Sequence, residues 1–327
     1  MLRPGLAAAY HGPPELTPLR ALTEWTLDPW ALAFVLVLGG LYLAGARRVR
    51  AASGWPAGRM AAFCGPGLGF AVIATMSSVG VYQGVLFYVR AVQTILLLLV
   101  VPLFLALGRP LSLAIAALPR RGPGIERVIR SRPARILTFP AISTLVLVVT
   151  PFLVYFSPWY VAAFDSDLVR QLTYLALMAP GFVFFWTLLR VDPVPKAYPY
   201  LVSLWVTGAE VVGDAVLGLA VIASNSLIAG AYYHALGRPW GPGLRTDQVL
   251  GGGTLWILGD IVGLPFLAAQ LIQMIREDEA EATVVDAELD ARDAGAPTAG
   301  TAGSEQPWWE SDPRFAGRFQ PVDEPRE

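Results

Sequence analysis

The sequence predicts an all-α membrane protein, a bundle of seven transmembrane helices, on three observations. Of its 327 residues, 55% are hydrophobic and 15% are charged, and the mean hydropathy is +0.53. A soluble domain carries about a quarter charged residues, so this composition excludes an ordinary soluble protein. The chain also contains seven apolar segments near the length of about 20 residues that a membrane span needs. Finally, its Lys and Arg residues alternate between the two ends of these segments.

The seven predicted spans follow one another along most of the chain. They cover residues 30–46, 60–79, 85–107, 136–156, 168–189, 200–226 and 249–275. The apolar stretch 110–119 is too short to cross a bilayer and has a proline at each end, so we expect it to lie at the membrane interface. No basic cluster directly precedes the first span, so we expect an uncleaved insertion signal there rather than a signal peptide.

The basic residues predict how the bundle is oriented. Thirteen Lys and Arg residues follow the first, third and fifth spans, and five lie on the opposite side. Because cytoplasmic loops carry the excess of basic residues, we predict an N-terminus outside and a C-terminus in the cytoplasm. The chain then divides into an extracytoplasmic arm (1–29), a seven-helix transmembrane domain (30–275) and an acidic cytoplasmic tail (276–327).

The predicted tail differs sharply in charge from the rest of the chain. It carries 14 acidic and 5 basic side chains, whereas residues 1–275 carry 11 acidic and 19 basic ones. With little apolar surface to bury, the tail is expected to be disordered, with a transient helix over residues 276–293. Trp308 and Trp309 indicate either a segment that docks on a partner or the membrane surface, or a chance aromatic cluster.

Charged residues inside the predicted spans are the strongest functional signal. The third span contains Arg90 and Gln93, the sixth contains Glu210 and Asp214 on one helix face, and the seventh contains Asp260. Charge at such depth is costly and is usually functional. The pattern is consistent with a proton or cation path, with a ligand shell, or with a buried ion-pair network that fixes helix register. The partner of Arg90 is left open.

Glycines are concentrated in the second and seventh spans, where the pattern predicts close helix packing rather than a phosphate loop. They form the run 65–69, the triplet 251–253 and the pair Gly259 and Gly263. No catalytic triad, metalloprotease, nucleotide-binding or deaminase motif is found, so we predict that the protein is not an enzyme and binds no nucleic acid. The bilayer itself is the one partner that composition predicts.

Few residues of the sequence suit a metal ion. The chain has two histidines, His11 and His234, together with Cys64 and five methionines. Copper(I) prefers thiolate, thioether and imidazole ligands, and His234 could meet Met76 at the outer end of the second span. Cys64 lies at the other end of that span and cannot share a site with His234. The alternative is that His234 is simply a solvated loop residue.

Several stretches together resemble one protein family. They are WTLDPWALAFVLVLGGLYLAGARRVR, PLFLALGRPLSLAIAALP, FPAISTLVLVVTPFLVYFSPWY, GFVFFWTLLRVDPVP and DQVLGGGTLWILGD. In order and spacing the chain resembles the CtaG family of cytochrome c oxidase assembly factors, which are seven-span plasma-membrane proteins. The resemblance implies a role in the maturation of a haem–copper oxidase, linked to copper insertion, with oxidase subunits as partners. The matching motif residues are Asp247, Gln248, Gly251, Gly252 and Trp256.

One part of the chain departs from the family pattern. Such proteins typically carry a pair of histidines in an HMxQH-like motif in the third span, but the chain reads RAVQT there. Arg90 and Thr94 stand in the histidine positions, and only Gln93 remains. Imidazoles can hold copper, whereas arginine stays protonated and offers no lone pair. Copper therefore remains possible as a cofactor but is not supported by the ligand content.

Three functions follow as hypotheses. The first is a non-enzymatic assembly factor for a haem–copper cytochrome c oxidase. The second is a proton- or cation-coupled transporter that uses the charged residues within the spans. The third is a structural partner of the oxidase that binds no metal and uses the acidic tail or the tryptophan pair as its contact.

Overall fold

A computed structural model describes residues 10–50, 54–196 and 198–295, and regular structure in those ranges is helical throughout. Sixteen α-helices follow one another, and two short π-helical turns, Phe63–Gly67 and Leu96–Val100, continue α-helices on either side. The helices are α1 Pro18–Thr23, α2 Pro29–Arg50, α3 Ala57–Ala62, α4 Leu68–Met76, α5 Ser78–Tyr82, α6 Phe87–Ile95, α7 Val101–Leu107, α8 Pro110–Ala117, α9 Gly122–Ile129, α10 Arg132–Leu137, α11 Pro140–Tyr155, α12 Trp159–Asp165, α13 Asp167–Leu189, α14 Tyr200–Ala223, α15 Gly230–Leu236 and α16 Leu244–Gly295.

The predicted class, an all-helical membrane protein, is confirmed. In the described ranges six helical stretches are long and apolar enough to cross a membrane, and a seventh arises if the bent pair α11 and α12 counts as one span. The six are Pro29–Val49, Ala57–Tyr82, Phe87–Leu107, Asp167–Leu189, Leu201–Ala223 and Leu244–Arg276. Each overlaps a predicted span, and the bent pair corresponds to the predicted fourth one. The predicted orientation of the termini stays a prediction.

The fourth span bends by 67° between α11 and α12. Pro158 lies in the break, where it has no N–H to donate to the helix and restricts the residue before it to extended conformations. The bend places α12 next to α6, so that Tyr160 and Phe164 face Arg90 of the third span. The predicted fourth span, 136–156, ended just before this bend, so α12 was not predicted from the hydropathy, and Pro158 is the signal that could have indicated a break.

We name the two sides of the bundle after Asp28 and Asp192, the aspartates that lie at helix starts there. On the Asp28 side, helices α2, α6, α13 and α16 begin; on the Asp192 side, α8, α11 and α14 begin. Asp192 accepts the backbone N–H groups of Leu111 (3.0 Å) and Ser112 (2.9 Å) at the start of α8. Residues 110–117 thus form a short helix that a carboxylate from another part of the chain caps. The predicted position of this stretch at the membrane interface stays a prediction.

The third span is the centre of the bundle. Of its most apolar stretch, 72% is buried inside the protein, a larger share than for any other span described. Its π-helical turn meets α13 at Gly181, where an added Cβ would lie 1.9 Å from the carbonyl oxygen of Leu98. Only a glycine permits this approach of two backbones.

By contact density the chain separates into two units, Met1–Met274 and Ile275–Glu327. Within the second unit, residues 275–295 are helical. The sequence predicted a transient helix over residues 276–293 within an otherwise disordered tail, and the helix there is favoured by many Ala and Glu residues, which are strong helix formers. Residues 296–327, with Trp308 and Trp309, lie outside the described residues, so the predicted disorder and docking role there stay predictions.

Candidate functional site

Arg90 lies in the most buried part of the bundle, with none of its surface exposed. Its Nη1 donates to Oε1 of Gln83 (2.7 Å) and Oε1 of Gln93 (2.6 Å). Its Cζ lies 5.3 Å from the ring centre of Phe164 and 5.9 Å from that of Tyr160, within the range of cation–π attraction. Among the described residues no carboxylate forms an ion pair with it. Two amide oxygens and two rings therefore surround a permanent cation.

The two glutamines connect this cation to neighbouring helices. Gln83 donates from Nε2 to the hydroxyl of Tyr174 on α13 (2.9 Å), and Gln93 donates to the carbonyl of Ala74 on α4 (2.7 Å). Sequence analysis selected Gln93 but missed Gln83, which lies in the connection between α5 and α6. A buried amide two turns before a buried arginine was the available signal.

An aromatic cluster closes the site next to Arg90. Thr94 shares a hydrogen bond of 3.0 Å with the hydroxyl of Tyr155, and the hydroxyls of Tyr160 and Tyr233 lie 2.7 Å apart. Phe87 packs against Tyr155 and Tyr160 at ring-centre distances of 5.5 and 5.8 Å. Burial raises the pKa of Tyr233 above its usual value, so this phenol stays neutral and supplies no counter-charge to Arg90.

Asp247 ties the start of the seventh span to the start of the third. Its carboxylate accepts the N–H groups of Phe87 and Tyr88, both at 3.1 Å, and these are donors that helix α6 leaves free at its first turn. It also forms a buried ion pair with Arg238 at 3.2 Å. The guanidinium of Arg238 donates in turn to the carbonyl of Pro242 at 2.7 Å and to that of Trp240.

Gln248, the next residue, caps a different helix. Its Oε1 accepts the N–H of Ile228 (2.8 Å), and its Nε2 donates to the carbonyl of Val221 (3.0 Å) in the last turn of α14. Adjacent side chains therefore fasten the third and sixth spans to the seventh. The motif residues Asp247 and Gln248 hold helix ends in place, and their polar atoms are engaged within the protein.

The glycines of the same motif permit close helix crossing. An added Cβ at Gly252 would lie 2.7 Å from the carbonyl oxygen of Gly218 on α14, and one at Gly251 would lie 2.3 Å from the ring of Phe87. Trp256 contacts Gly218 one turn further along. Close packing is thus confirmed at Gly251 and Gly252, whereas an added Cβ at Gly253, Gly65 or Gly69 would meet nothing within 4 Å.

The acidic residues predicted within the spans form a second cluster, separate from Arg90. Glu210 and Asp214 are both buried, 2% and 4% exposed, and lie one turn apart on α14. On α16, Gly259 and Gly263 make room for them, since added Cβ atoms there would lie 2.2 Å from Asp214 Oδ2 and 3.1 Å from Glu210 Oε2. Oδ2 of Asp214 and Oδ1 of Asp260 are buried without a hydrogen-bond partner among the described residues.

A line of polar side chains joins this acidic cluster to the Asp192 side. Ser203, Thr207, Glu210 and Asp214 follow at spacings of four, three and four and so share one face of α14. Thr207 donates to Oε1 of Gln270 (3.3 Å), and Ser203 accepts from Arg190 (3.0 Å). The described contacts do not connect Arg90 with this line, so the five residues predicted as one network occupy two sites.

The residues around Arg90 do not fit a copper ion. The positions that face the cluster carry a guanidinium, amides, hydroxyls and phenols, and none is the thiolate, thioether or imidazole that copper(I) prefers. His234 is exposed on α15, whereas Met76 is only 5% exposed. Within the described ranges no group of three or more His, Cys, Asp or Glu side chains could hold a metal ion.

Comparison with known proteins yields one family and a few relatives. A family model described as cytochrome c oxidase caa3 assembly factor matches residues 40–277. An uncharacterized protein of Mycobacterium leprae is 28% identical over 300 residues, which cover 86% of this chain and 45% of that protein. Uncharacterized proteins of Mycobacterium bovis and Mycobacterium tuberculosis are each 28% identical over 291 residues, covering 86% of this chain and 44% of theirs. The chain thus spans less than half the length of these relatives, and no solved structure matches it.

Proposed function

Since the chain belongs to the family of cytochrome c oxidase caa3 assembly factors, we propose that it assists the assembly of a haem–copper oxidase as a non-enzymatic, multi-pass protein of the bacterial plasma membrane. Its partners in this proposal are oxidase subunits within the same bilayer. The mycobacterial relatives are uncharacterized, so the proposal rests on the family and on the site. In this proposal the third and seventh spans, which carry Arg90 and Asp247, are the parts of the protein most directly involved.

The observation that carries the proposal is the buried Arg90 and its two glutamines. A charged side chain in a membrane domain is costly and is usually functional. Here the charge is permanent, and its acceptors Gln83 and Gln93 are themselves fixed to α13 and α4. We infer that this site acts through its shape and charge, as part of a scaffold, and that the protein does not itself carry copper to the oxidase.

Two experiments test this proposal. In a strain that lacks the protein, we expect loss of assembled oxidase, measured by haem spectra and oxidase activity of isolated membranes. Complementation with the Arg90→Leu variant should fail, whereas complementation with His234→Ala should succeed. Normal oxidase assembly and normal oxidase copper in the deletion strain would contradict the proposed role.

The second experiment is metal analysis of the purified protein after copper(I) loading under reducing conditions. We expect less than stoichiometric copper, with no difference between the wild-type protein and His234→Ala, because His234 is exposed and no cluster of ligands surrounds it within the part of the chain that the structure describes. Stoichiometric copper that disappears in His234→Ala would instead favour a metal carrier that uses His234, with Met76 as the candidate second ligand.

A second candidate function, proton- or cation-coupled transport, is favoured by the acidic cluster. Glu210 and Asp214 are both buried on one face of α14, and Asp260 of α16 has a buried carboxyl oxygen without a hydrogen-bond partner among the described residues. Carboxyl groups clustered inside membrane spans are typical of proton relays. Asp214 follows Ser203 by eleven residues, which is about 16 Å along the helix. The line of polar side chains between them supplies half of a path across the membrane from the Asp192 side.

Proton flux into liposomes, followed with an enclosed pH-sensitive dye, tests the transport candidate. Transport through the cluster predicts flux that Asp214→Asn and Glu210→Gln abolish and that Asp165→Asn, an exposed acidic residue, leaves unchanged. Flux equal to that of empty liposomes, or flux that survives both neutralising substitutions, would count against this function and leave the cluster with a packing role.

A further inference from the structure

A cavity of about 490 Å³ lies between the first and fifth spans. This volume is in the range of about 300–1,000 Å³ that ligand pockets occupy. Its walls come from α2, α4, α13 and the π-helical turn of the third span, and they are mostly apolar. We call it the α2–α13 slot. Representative wall residues are Phe34, Val35, Ala71, Leu97, Leu175 and Met178.

The slot exists because its two long walls pack against different neighbours. Helix α2 contacts α4 at Gly39, where an added Cβ would lie 2.9 Å from Leu68, and α8 at Gly45, where it would lie 3.3 Å from Leu113. Helix α13 instead packs against the third span at Gly181. Across the gap the contact between them is polar: Gln171 donates to Asp28 at 2.6 Å, and Arg170 lies 3.6 Å from the same carboxylate.

The polarity of the slot changes along its length. Asp167, Gln171 and Trp30 line it near the first turns of α13 and α2, whereas Met178 and Leu97 line its deeper part. From Asp167 to Met178 the helix rises by about 16 Å. The deep hydroxyl groups are engaged within the protein, since Thr75 donates to Ala71 O (2.7 Å) and Tyr174 accepts from Gln83. An occupant would therefore meet a polar mouth and an apolar interior.

The surroundings of the slot identify the class of occupant. The helices on both sides qualify as membrane spans, and their outward side chains are apolar and exposed, including Leu36 (63%) and Leu172 (48%). Trp25 and Trp30, which are 56% and 67% exposed beside the mouth, are of the type enriched where hydrocarbon meets water. A molecule that reaches this slot comes from the bilayer, with its polar end level with these tryptophans.

The charges at the mouth match a zwitterionic head group. Arg170 and Asp167 pair at 2.7 Å, with 25% and 74% of their side-chain surfaces exposed. A guanidinium suits a phosphate, and a neighbouring carboxylate suits an ammonium group. Asp28 is only 7% exposed and is held by Gln171, so it is not available to a head group.

We propose that the α2–α13 slot binds one membrane phospholipid, with an acyl chain between the two spans, its phosphate at Arg170 and an amine-bearing head group at Asp167. The lipid fills a gap that side chains leave open and joins the first span to the fifth. The lipid also contacts Tyr174, which lines the slot and hydrogen-bonds to Gln83. Gln83 in turn accepts a hydrogen bond from Arg90, so the lipid lies next to the Arg90 site.

The test compares two variants on one helix. In Leu175→Trp the indole fills the slot, whereas in Leu172→Trp, which is similarly exposed, the residue lies outside the slot wall. The full chain is purified, delipidated, incubated with palmitoyl-oleoyl phosphatidylethanolamine and measured by native mass spectrometry. We expect one retained lipid in the wild-type protein and in Leu172→Trp, and at least a tenfold loss in Leu175→Trp.

Additional arms make the result decisive. Phosphatidylglycerol should bind more weakly than phosphatidylethanolamine, and Asp167→Asn should remove that preference. Should Leu175→Trp fail to fold, Ala71→Leu fills the slot from the opposite wall. Equal retention in Leu175→Trp and Leu172→Trp, no retained lipid in the wild-type protein, or a dimer of the chain that Leu175→Trp dissociates would each overturn the proposal.

Discussion

At the scale of single residues, Arg90 sets the strongest demand on the structure. A buried guanidinium has lost its water, and a carboxylate is the usual compensation. Here the compensation comes from amide oxygens and aromatic rings, which attract the cation without neutralising it. Gln83 and Gln93 are therefore as necessary as Arg90 itself, because each accepts a charge-assisted hydrogen bond in a place that water does not reach.

Replacing Gln93 by Leu should destabilise the protein by about 1.5–3 kcal/mol, the range for a hydrogen bond to a charged group. The substitution leaves Arg90 with one amide acceptor and frees the carbonyl of Ala74. Thermal unfolding in detergent, followed by circular dichroism, measures the effect. The double variant Arg90→Met with Gln93→Leu removes the cation and its acceptor together. Its loss in the free energy of unfolding should therefore be smaller than the sum of the losses in the two single variants. Simple additivity would contradict the coupling.

Much of this site was predictable at the residue scale, but its pairing was not. The depth of Arg90, Glu210, Asp214 and Asp260 follows from counting along apolar segments. That count gives no information about which spans are neighbours, so a network of opposite charges was the simplest expectation. In the structure two rings of α12, Tyr160 and Phe164, lie next to Arg90, and Tyr233 of α15 packs against Tyr160. Neither of these short helices had a signal in the hydropathy.

At the scale of helices, the chain fixes helix ends with side chains distant in sequence. Asp247 caps α6 and Asp192 caps α8, and both residues lie on other segments than the helix they cap. A cap of this kind satisfies free N–H groups and at the same time sets the position of one helix against another. The sequence indicated that Asp247 was important without showing for which helix.

Replacing Asp247 by Ala should cost about 3–5 kcal/mol, the range for breaking one side of a buried ion pair. The substitution removes the carboxylate partner of Arg238, whose side chain is only 2% exposed and so cannot be hydrated instead. It also leaves the N–H groups of Phe87 and Tyr88 without an acceptor. The unfolding midpoint in detergent measures the loss. Asp165→Ala, an exposed position, is the control and should change stability by less than about 0.5 kcal/mol. Equal midpoints for the two variants would show that the cap contributes nothing.

The glycine triplet offers a matched test of helix packing. In Gly252→Ala the new methyl group meets the carbonyl oxygen of Gly218 at 2.7 Å, so α14 and α16 must move apart and the unfolding temperature should fall. In Gly253→Ala the methyl group has open space, and the better helix propensity of Ala should raise stability by up to about 1 kcal/mol. Opposite signs at adjacent residues are the expected result. Two variants of equal stability would show that this crossing is not close.

At the scale of the whole molecule, the sequence predicted the class and the position of six crossings, and the bent pair α11 and α12 stands at the predicted seventh. Hydropathy is a sum over many residues, so errors at single positions cancel, and the spans overlap their predicted ranges. The bend in the fourth span, the π-helical turns and the α2–α13 slot depend on contacts between distant residues. These features were not accessible from periodicity or composition.

We expect the two units of the chain to differ in what they contribute to stability and to partner binding. Core residues of the first unit extend from Tyr42 to Phe266 among those described, so removal of 296–327 should leave the unfolding temperature of the membrane domain unchanged. If the acidic tail is the contact for the oxidase, the same truncation should reduce co-purification of oxidase subunits, measured by immunoblot of solubilised membranes. Undiminished co-purification would eliminate residues 296–327 as the attachment point.

The cap on α6 also has a consequence for how the protein is made. Asp247 follows Phe87 by 160 residues, and at about 5–20 residues per second the ribosome needs about 8–30 s to synthesise that interval. During this time the third span is already in the bilayer with the first turn of α6 still uncapped. Maturation of the centre of the bundle therefore waits for the last span to be inserted, so a chain truncated before Asp247 would expose an unfinished helix end to the proteases that survey the membrane.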